Sequence, residues 1–229
     1  MFHLYVFIYL LLAHLLADFI FQTDALVAWK QKSWKGVFVH SLILFAVSLA
    51  LFWPFWLEGA SGSRLGSFWE NMNLWGIAIL LLNAGLHFLM DSDKIRKEKK
   101  NHQYVKMFFV DQFFHVAVIA VMTLAIGYLY TFSYSTGLYA LYTRCGADST
   151  CGLMTFFTEF LPLALYLIAA ILSTSVYEIV KYQFARQLGT HSRMKFDYKK
   201  MFVRLIVLSL IFAFFMFFWG PHIAMTFWK

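Results

Sequence analysis

Six stretches of mainly apolar residues recur along the chain, and each approaches the roughly 20 residues that an α-helix needs to cross the hydrocarbon core of a bilayer. They run at about residues 3–21, 36–57, 73–91, 105–130, 159–182 and 201–220. Lipid offers no water to backbone groups, so such segments must satisfy their own hydrogen bonds as helices. The expected fold is therefore all-α: a polytopic membrane helix bundle of about six spans, forming a single integral domain over residues 1–229. Charged residues make up only 14% of the chain, against about 25% in soluble domains, which excludes an ordinary soluble core. The first stretch lacks a basic leader region and carries His14 and Asp18, so it reads as a span rather than a removable signal. Gly59 to Ser67, the charge run Asp93 to Lys100, and Gly146 to Gly152 read as connectors. Gln22 to Lys35 is amphipathic and suits a short interfacial helix, with Asp24 as its expected cap.

Lysine and arginine set orientation. Lys30, Lys32 and Lys35 flank the 22–35 connector; Lys94, Arg96, Lys97, Lys99, Lys100 and Lys106 flank the next basic one. Lys181, Arg186, Arg193, Lys195, Lys199, Lys200 and Arg204 flank the last. Only Arg64, Arg144 and Lys229 fall on the other side. The expectation is a multi-pass protein of a bacterial inner membrane with both termini outside. The same placement accounts for the net charge of +7 without a nucleic-acid partner. The bilayer is the expected partner, and the basic runs can also hold anionic headgroups. Cys145 and Cys151 share the outward 131–158 loop, an oxidising location that favours a disulfide, with two free thiols as the alternative.

Ionisable side chains inside a membrane usually mark function. His14 and Asp18 are four apart, as are His87 and Asp91, and Asp111 and His115, so each pair shares a helix face. Gln22 and Asn83 extend two of these stripes, His40 and Ser41 sit one turn into the second span, and Glu178 with Thr174 lies late in the fifth. Alternating helix direction puts all five groups in the cytoplasmic third, at one depth. Histidine and aspartate together make a nitrogen/oxygen donor set suited to zinc, with manganese or iron as alternatives. The seven candidate ligands are His14, Asp18, His40, His87, Asp91, Asp111 and His115; Asp18, Asp91 and Asp111 are the candidate bases. Ser41 and Tyr177 can reach a substrate, although packing is the default for both. His3, His102, His191 and His222 read as solvated.

The segment His14-Leu-Leu-Ala-Asp18-Phe-Ile-Phe-Gln22-Thr23-Asp24 resembles the opening signature of a bacterial membrane-protein family of unknown function. The pattern continues with a Lys-rich linker, His40-Ser41, His87-Phe-Leu-Met-Asp91 with a basic tail, and Asp111-Gln112-x-x-His115, which adds Gln112 as a supporting residue. The resemblance covers roughly residues 10–120 and implies a helical membrane domain without implying an activity. A looser similarity links it to membrane-bound metal-dependent hydrolases, which also set His and Asp on short membrane helices; that analogy transfers no substrate.

Three functions compete at this point. A metal-dependent hydrolase would act on a lipid or a small phosphorylated substrate from the cytoplasmic leaflet. An ion or proton carrier would use the same residues as a relay, but the outer halves of the spans are nearly free of polar groups. A non-enzymatic sensor or partner subunit would use the cluster only to hold its helices together.

Overall fold

Apolar side chains on every side of a helix place it inside a bundle rather than at its surface. The first helix, α1 (Phe2–Leu15), has this character: Tyr5, Val6, Ile8, Tyr9, Leu10, Leu12 and Ala13 are all buried. In its apolar window 61% of residues are buried, against 28–33% for the other four apolar helices, so α1 is the hub. The computed structural model describes residues 2–52, 66–101, 103–133, 152–189 and 198–227, with side chains over 3–52, 74–98, 103–128, 160–189 and 199–214.

After α1 come a π-helical turn (Leu16–Ile20), α2 (Asp24–Lys32), α3 (Trp34–Leu51), α4 (Gly66–Asn101) and α5 (Tyr104–Ser133). Then follow α6 (Gly152–Ile171), a second π turn (Leu172–Val176), α7 (Tyr177–Gln187) and α8 (Tyr198–Phe227). There is no strand among the described residues. Helices α3, α5 and α6 pack on α1, α4 packs between α3 and α5, and α8 joins at the second π turn and α6.

Five helical segments are long and apolar enough to span a membrane: His3–Ile20, Trp34–Leu51, Leu74–Glu98, Tyr104–Tyr128 and Phe160–Gln187. The range expected for a sixth lies within α8, where Phe202, Val203, Leu210, Ile211 and Phe214 are exposed. Leu81, Leu82, Phe113, Phe114 and Leu124 are likewise exposed on α4 and α5. Such apolar outer faces fit contact with lipid.

The structure corrects the expected boundaries in four places; the first is Gly66 and Ser67, expected in a connector, which open α4. Asp93 to Lys100 is not a connector, because α4 continues through it to Asn101. Asp93 pairs there with Arg96 at 2.7 Å and with Lys97, the (i, i+3) and (i, i+4) contacts that support an exposed helix. Asp24 is not the cap of α2. Thr23 caps it, its hydroxyl accepting from the Leu26 amide at 3.3 Å, and Asp24 opens the first turn. Finally, α5 runs on to Ser133 and α6 starts at Gly152, which shortens the expected 131–158 loop. Cys145 and Cys151 fall outside the described residues, as do the side chains of His102, His191 and His222.

The two π turns interrupt the spans where polar side chains sit. In the first, Phe21 donates its amide to the Leu16 carbonyl at 2.9 Å, one residue further than an α-helical bond. Asp18 rides on that turn. Such single-turn widenings are frequent at functional sites.

Candidate metal centre

Helix α1 brings His14 and, through its π turn, Asp18; α3 brings His40; α4 brings His87 and Asp91; α5 brings Asp111, Gln112 and His115. All four histidines are at most 2% exposed. Their rings form one cluster, with centroid separations of 4.2 Å for His87–His115, 4.8 Å for His14–His115, 5.0 Å for His40–His87 and 5.5 Å for His14–His87. The seven residues singled out by shared face and depth are therefore brought together.

Three of their atoms, from Asp18, His40 and His87, lie within 4.8 Å of one another. His40 Nε2 is 3.0 Å from both Asp18 Oδ1 and His87 Nε2, and His87 Nε2 is 3.4 Å from Asp18 Oδ1. Asp91 Oδ2 lies beside this set, 3.6 Å from His40 Nε2 and 3.7 Å from His87 Nε2. A tetrahedral site with bonds of about 2.0–2.1 Å separates its ligand atoms by roughly 3.3–3.4 Å. The three separations within Asp18, His40 and His87 lie close to that value, so this triad could hold a metal ion, with Asp91 Oδ2 alongside.

A second group of Asp91, Asp111 and His115, and a third of His14, His87 and His115, also bring ligand atoms within 4.8 Å of one another. His115 Nε2 is 3.2 Å from Asp111 Oδ1 and 3.5 Å from Asp91 Oδ1, without the alignment of a hydrogen bond to either. Its other nitrogen, Nδ1, meets His87 Nδ1 at 3.1 Å. One proton fits between those two nitrogens, so one ring donates and the other accepts.

The supporting residues divide. Gln112 belongs to the cluster: its Oε1 faces His14 Nε2 at 3.3 Å and its amide donates to Asp111 Oδ2 at 3.2 Å. Gln22 accepts from Lys30 at 3.1 Å. Asn83 is buried one turn before His87. Ser41 turns its hydroxyl back to the Val37 carbonyl at 3.1 Å. Glu178 was grouped with the others by depth, but its carboxylate pairs with Arg204 at 3.0 Å and Lys181 at 3.7 Å. Thr174 donates to its own helix, to the Ala170 carbonyl, at 2.5 Å. Tyr177 is 51% exposed beneath the Arg204 guanidinium.

Two cations that the sequence suggested only as topology signals enter the site. Lys30 Nζ lies 2.5 Å from Asp91 Oδ2, and Lys94 Nζ lies 2.7 Å from Asp111 Oδ2. For Lys94 a signal existed, since it follows Asp91 by three residues and extends the His87/Asp91 stripe. Lys30 reaches the site only because α2 folds under it. Gly36 makes that possible: a Cβ there would stand 2.6 Å from the Lys30 backbone nitrogen and from the Trp29 backbone carbon. A cavity of about 460 Å³ opens beside the cluster, with Asp18, Asp91, Lys30 and Lys94 in its wall. Asp111 instead borders a smaller cavity of about 70 Å³ with Lys94 and Met107.

No curated protein and no solved structure matches the chain. Residues 6–140 match the family DUF3307, described as a protein of unknown function. That span contains all seven clustered His and Asp residues and stops short of Glu178. The chain belongs to the DUF3307 family.

Proposed function

We propose that the protein is a metal-dependent hydrolase embedded in a bacterial inner membrane, acting on a lipid or small phosphorylated substrate that enters from the cytoplasmic leaflet. The observation that carries this reading is the convergence of His40 Nε2, His87 Nε2 and Asp18 Oδ1 at separations suited to a divalent cation, with Asp91 Oδ2 within 3.7 Å of both imidazoles. Zinc is the preferred ion for two imidazoles and a carboxylate, a set that leaves a coordination position for water, with manganese or iron as alternatives. A divalent cation held there would acidify water and polarise an acyl or phosphoryl oxygen.

The chain's own groups then take distinct roles. His87, giving Nε2 to the ion, carries its proton on Nδ1 and donates it to His115 Nδ1. His115 in turn carries its proton on Nε2, facing Asp111. Lys94 and Gln112 fix Asp111 from its other side. This arrangement orients the ligand imidazole, the service that groups behind metal-bound histidines usually perform. Asp18 lines the large cavity and has a second oxygen, 3.8 Å from His14 Nε2, able to accept a proton from the nucleophile. We assign the basic helix ends to the cytoplasm and count α8 as a sixth span, in one domain with both termini outside.

A second reading has one observation in its favour. Lys30 and Lys94 balance two of the three carboxylates, so one protonated histidine would neutralise the cluster as a metal-free clamp between helices. Activity separates the two. Protein in nanodiscs should hydrolyse phosphate monoesters or phospholipids only with a divalent ion, lose activity to chelator, and stay inactive as His40→Ala. Chelator-resistant turnover, or a fully active His40→Ala protein, would exclude the metal mechanism.

A further inference from the structure

Lys30 occupies a position that a metal site cannot leave unchanged. Its side chain is about 90% buried and its ammonium rests on Asp91 Oδ2, beside the converging imidazoles, without the alignment of a hydrogen bond. Its other partner is the neutral Gln22 carbonyl at 3.1 Å. A divalent ion bound by Asp91 would repel this ammonium and take its counter-charge. Lys30 would then be a buried cation held only by an amide, which is costly unless an anion replaces Asp91.

The adjoining cavity provides the space. Its wall carries Lys30, Lys94 and Arg186 against Asp18, Asp24, Asp91 and Glu98, three cations facing four carboxylates. Lys94 is already matched by Asp111, so a divalent ion on Asp18 and Asp91 cancels the remaining excess of negative charge and leaves Lys30 and Arg186 open to an anion only in the metal-loaded protein. Arg186 is stacked on the Tyr104 ring at 3.7 Å. Stacking leaves the edge of the guanidinium plane, with its paired donors, available to two oxygens of one anion.

We propose that Lys30, with Arg186, is the receptor for a phosphate group of the substrate, released for that role when a metal ion takes Asp91. This rests on the metal reading above and adds a coupling to it: metal and phosphate each tighten the binding of the other, because linkage is reciprocal.

The test measures Mn²⁺ binding to the full chain in nanodiscs by the EPR signal of the free ion. In neutral lipid, millimolar inorganic phosphate should tighten Mn²⁺ binding by about tenfold, within the usual range of coupling between sites. If phosphate has no effect but phosphatidic acid in the nanodisc does, the proposal stands with a lipid headgroup as the source. Lys30→Met should abolish the coupling and bind Mn²⁺ at least as tightly as the wild type without phosphate. Lys32→Met, which removes an exposed charge from the same helix, should keep the coupling. Stoichiometric Mn²⁺ binding that neither phosphate source alters would overturn the proposal, as would full coupling in Lys30→Met. Absence of Mn²⁺ from every sample would instead fail the metal reading on which it depends.

Discussion

At the scale of single residues, the site was legible wherever its geometry is local. A spacing of four on a helix fixes a shared face, so the pairs His14/Asp18, His87/Asp91 and Asp111/His115 could be read directly, and their common depth brought in His40. Depth is only one coordinate, however. Glu178 was expected at the same depth but pairs with Arg204 instead. Lys30 and Lys94 were hidden for a different reason, since a lysine at a membrane helix end has an ordinary explanation as a topology signal. Lys94 is the counter-charge of the buried Asp111. Lys94→Met should therefore lower stability by about 3–5 kcal/mol, the cost of stranding one member of a buried pair. Thermal melts in detergent at neutral pH check this, and an unchanged melting temperature would mean that the pair is not buried in the working protein.

Among the elements, helix identity followed from apolar length, while helix ends did not. The run Asp93 to Lys100 looks like a loop by charge, yet its residues are good helix formers whose side chains pair one turn apart. The π turns left no sequence signal at all, because the extra residue is accommodated by packing against neighbouring helices. Helix α2 was recognisable as amphipathic, but nothing local revealed that Gly36 lets it close beneath the cluster. Gly36→Ala would drive a methyl into the backbone of Trp29 and Lys30, costing about 1–3 kcal/mol as overpacking does. The expected outcome is a lower melting temperature with the helical CD signal retained. A neutral Gly36→Ala would show that α2 does not approach α3 this closely. The cap offers a smaller test: Thr23→Ala should cost about 1 kcal/mol, and Asp24→Ala clearly less.

For the whole molecule, the count of apolar stretches and the imbalance of Lys and Arg were enough to expect a helical membrane bundle. What they could not give was the central place of α1, which depends on which faces its neighbours cover. Reporter fusions after Lys100 and Lys200 should read cytoplasmic, and one after Ser149 external. A cytoplasmic Ser149 would reverse the proposed orientation. In protein made in an oxidising envelope, Cys145 and Cys151 should resist alkylation until reduced; two alkylated thiols without reductant would refute the expected disulfide.

The central claim is that this buried cluster holds a metal ion rather than clamping helices with hydrogen bonds alone. Elemental analysis of purified wild-type protein beside His87→Ala and Asp91→Ala tests it most directly. The wild type should carry a stoichiometric divalent ion and both variants background levels, with near-native helical content in all three. Wild-type protein that is folded, metal-free and unable to take up zinc, manganese or iron would contradict it.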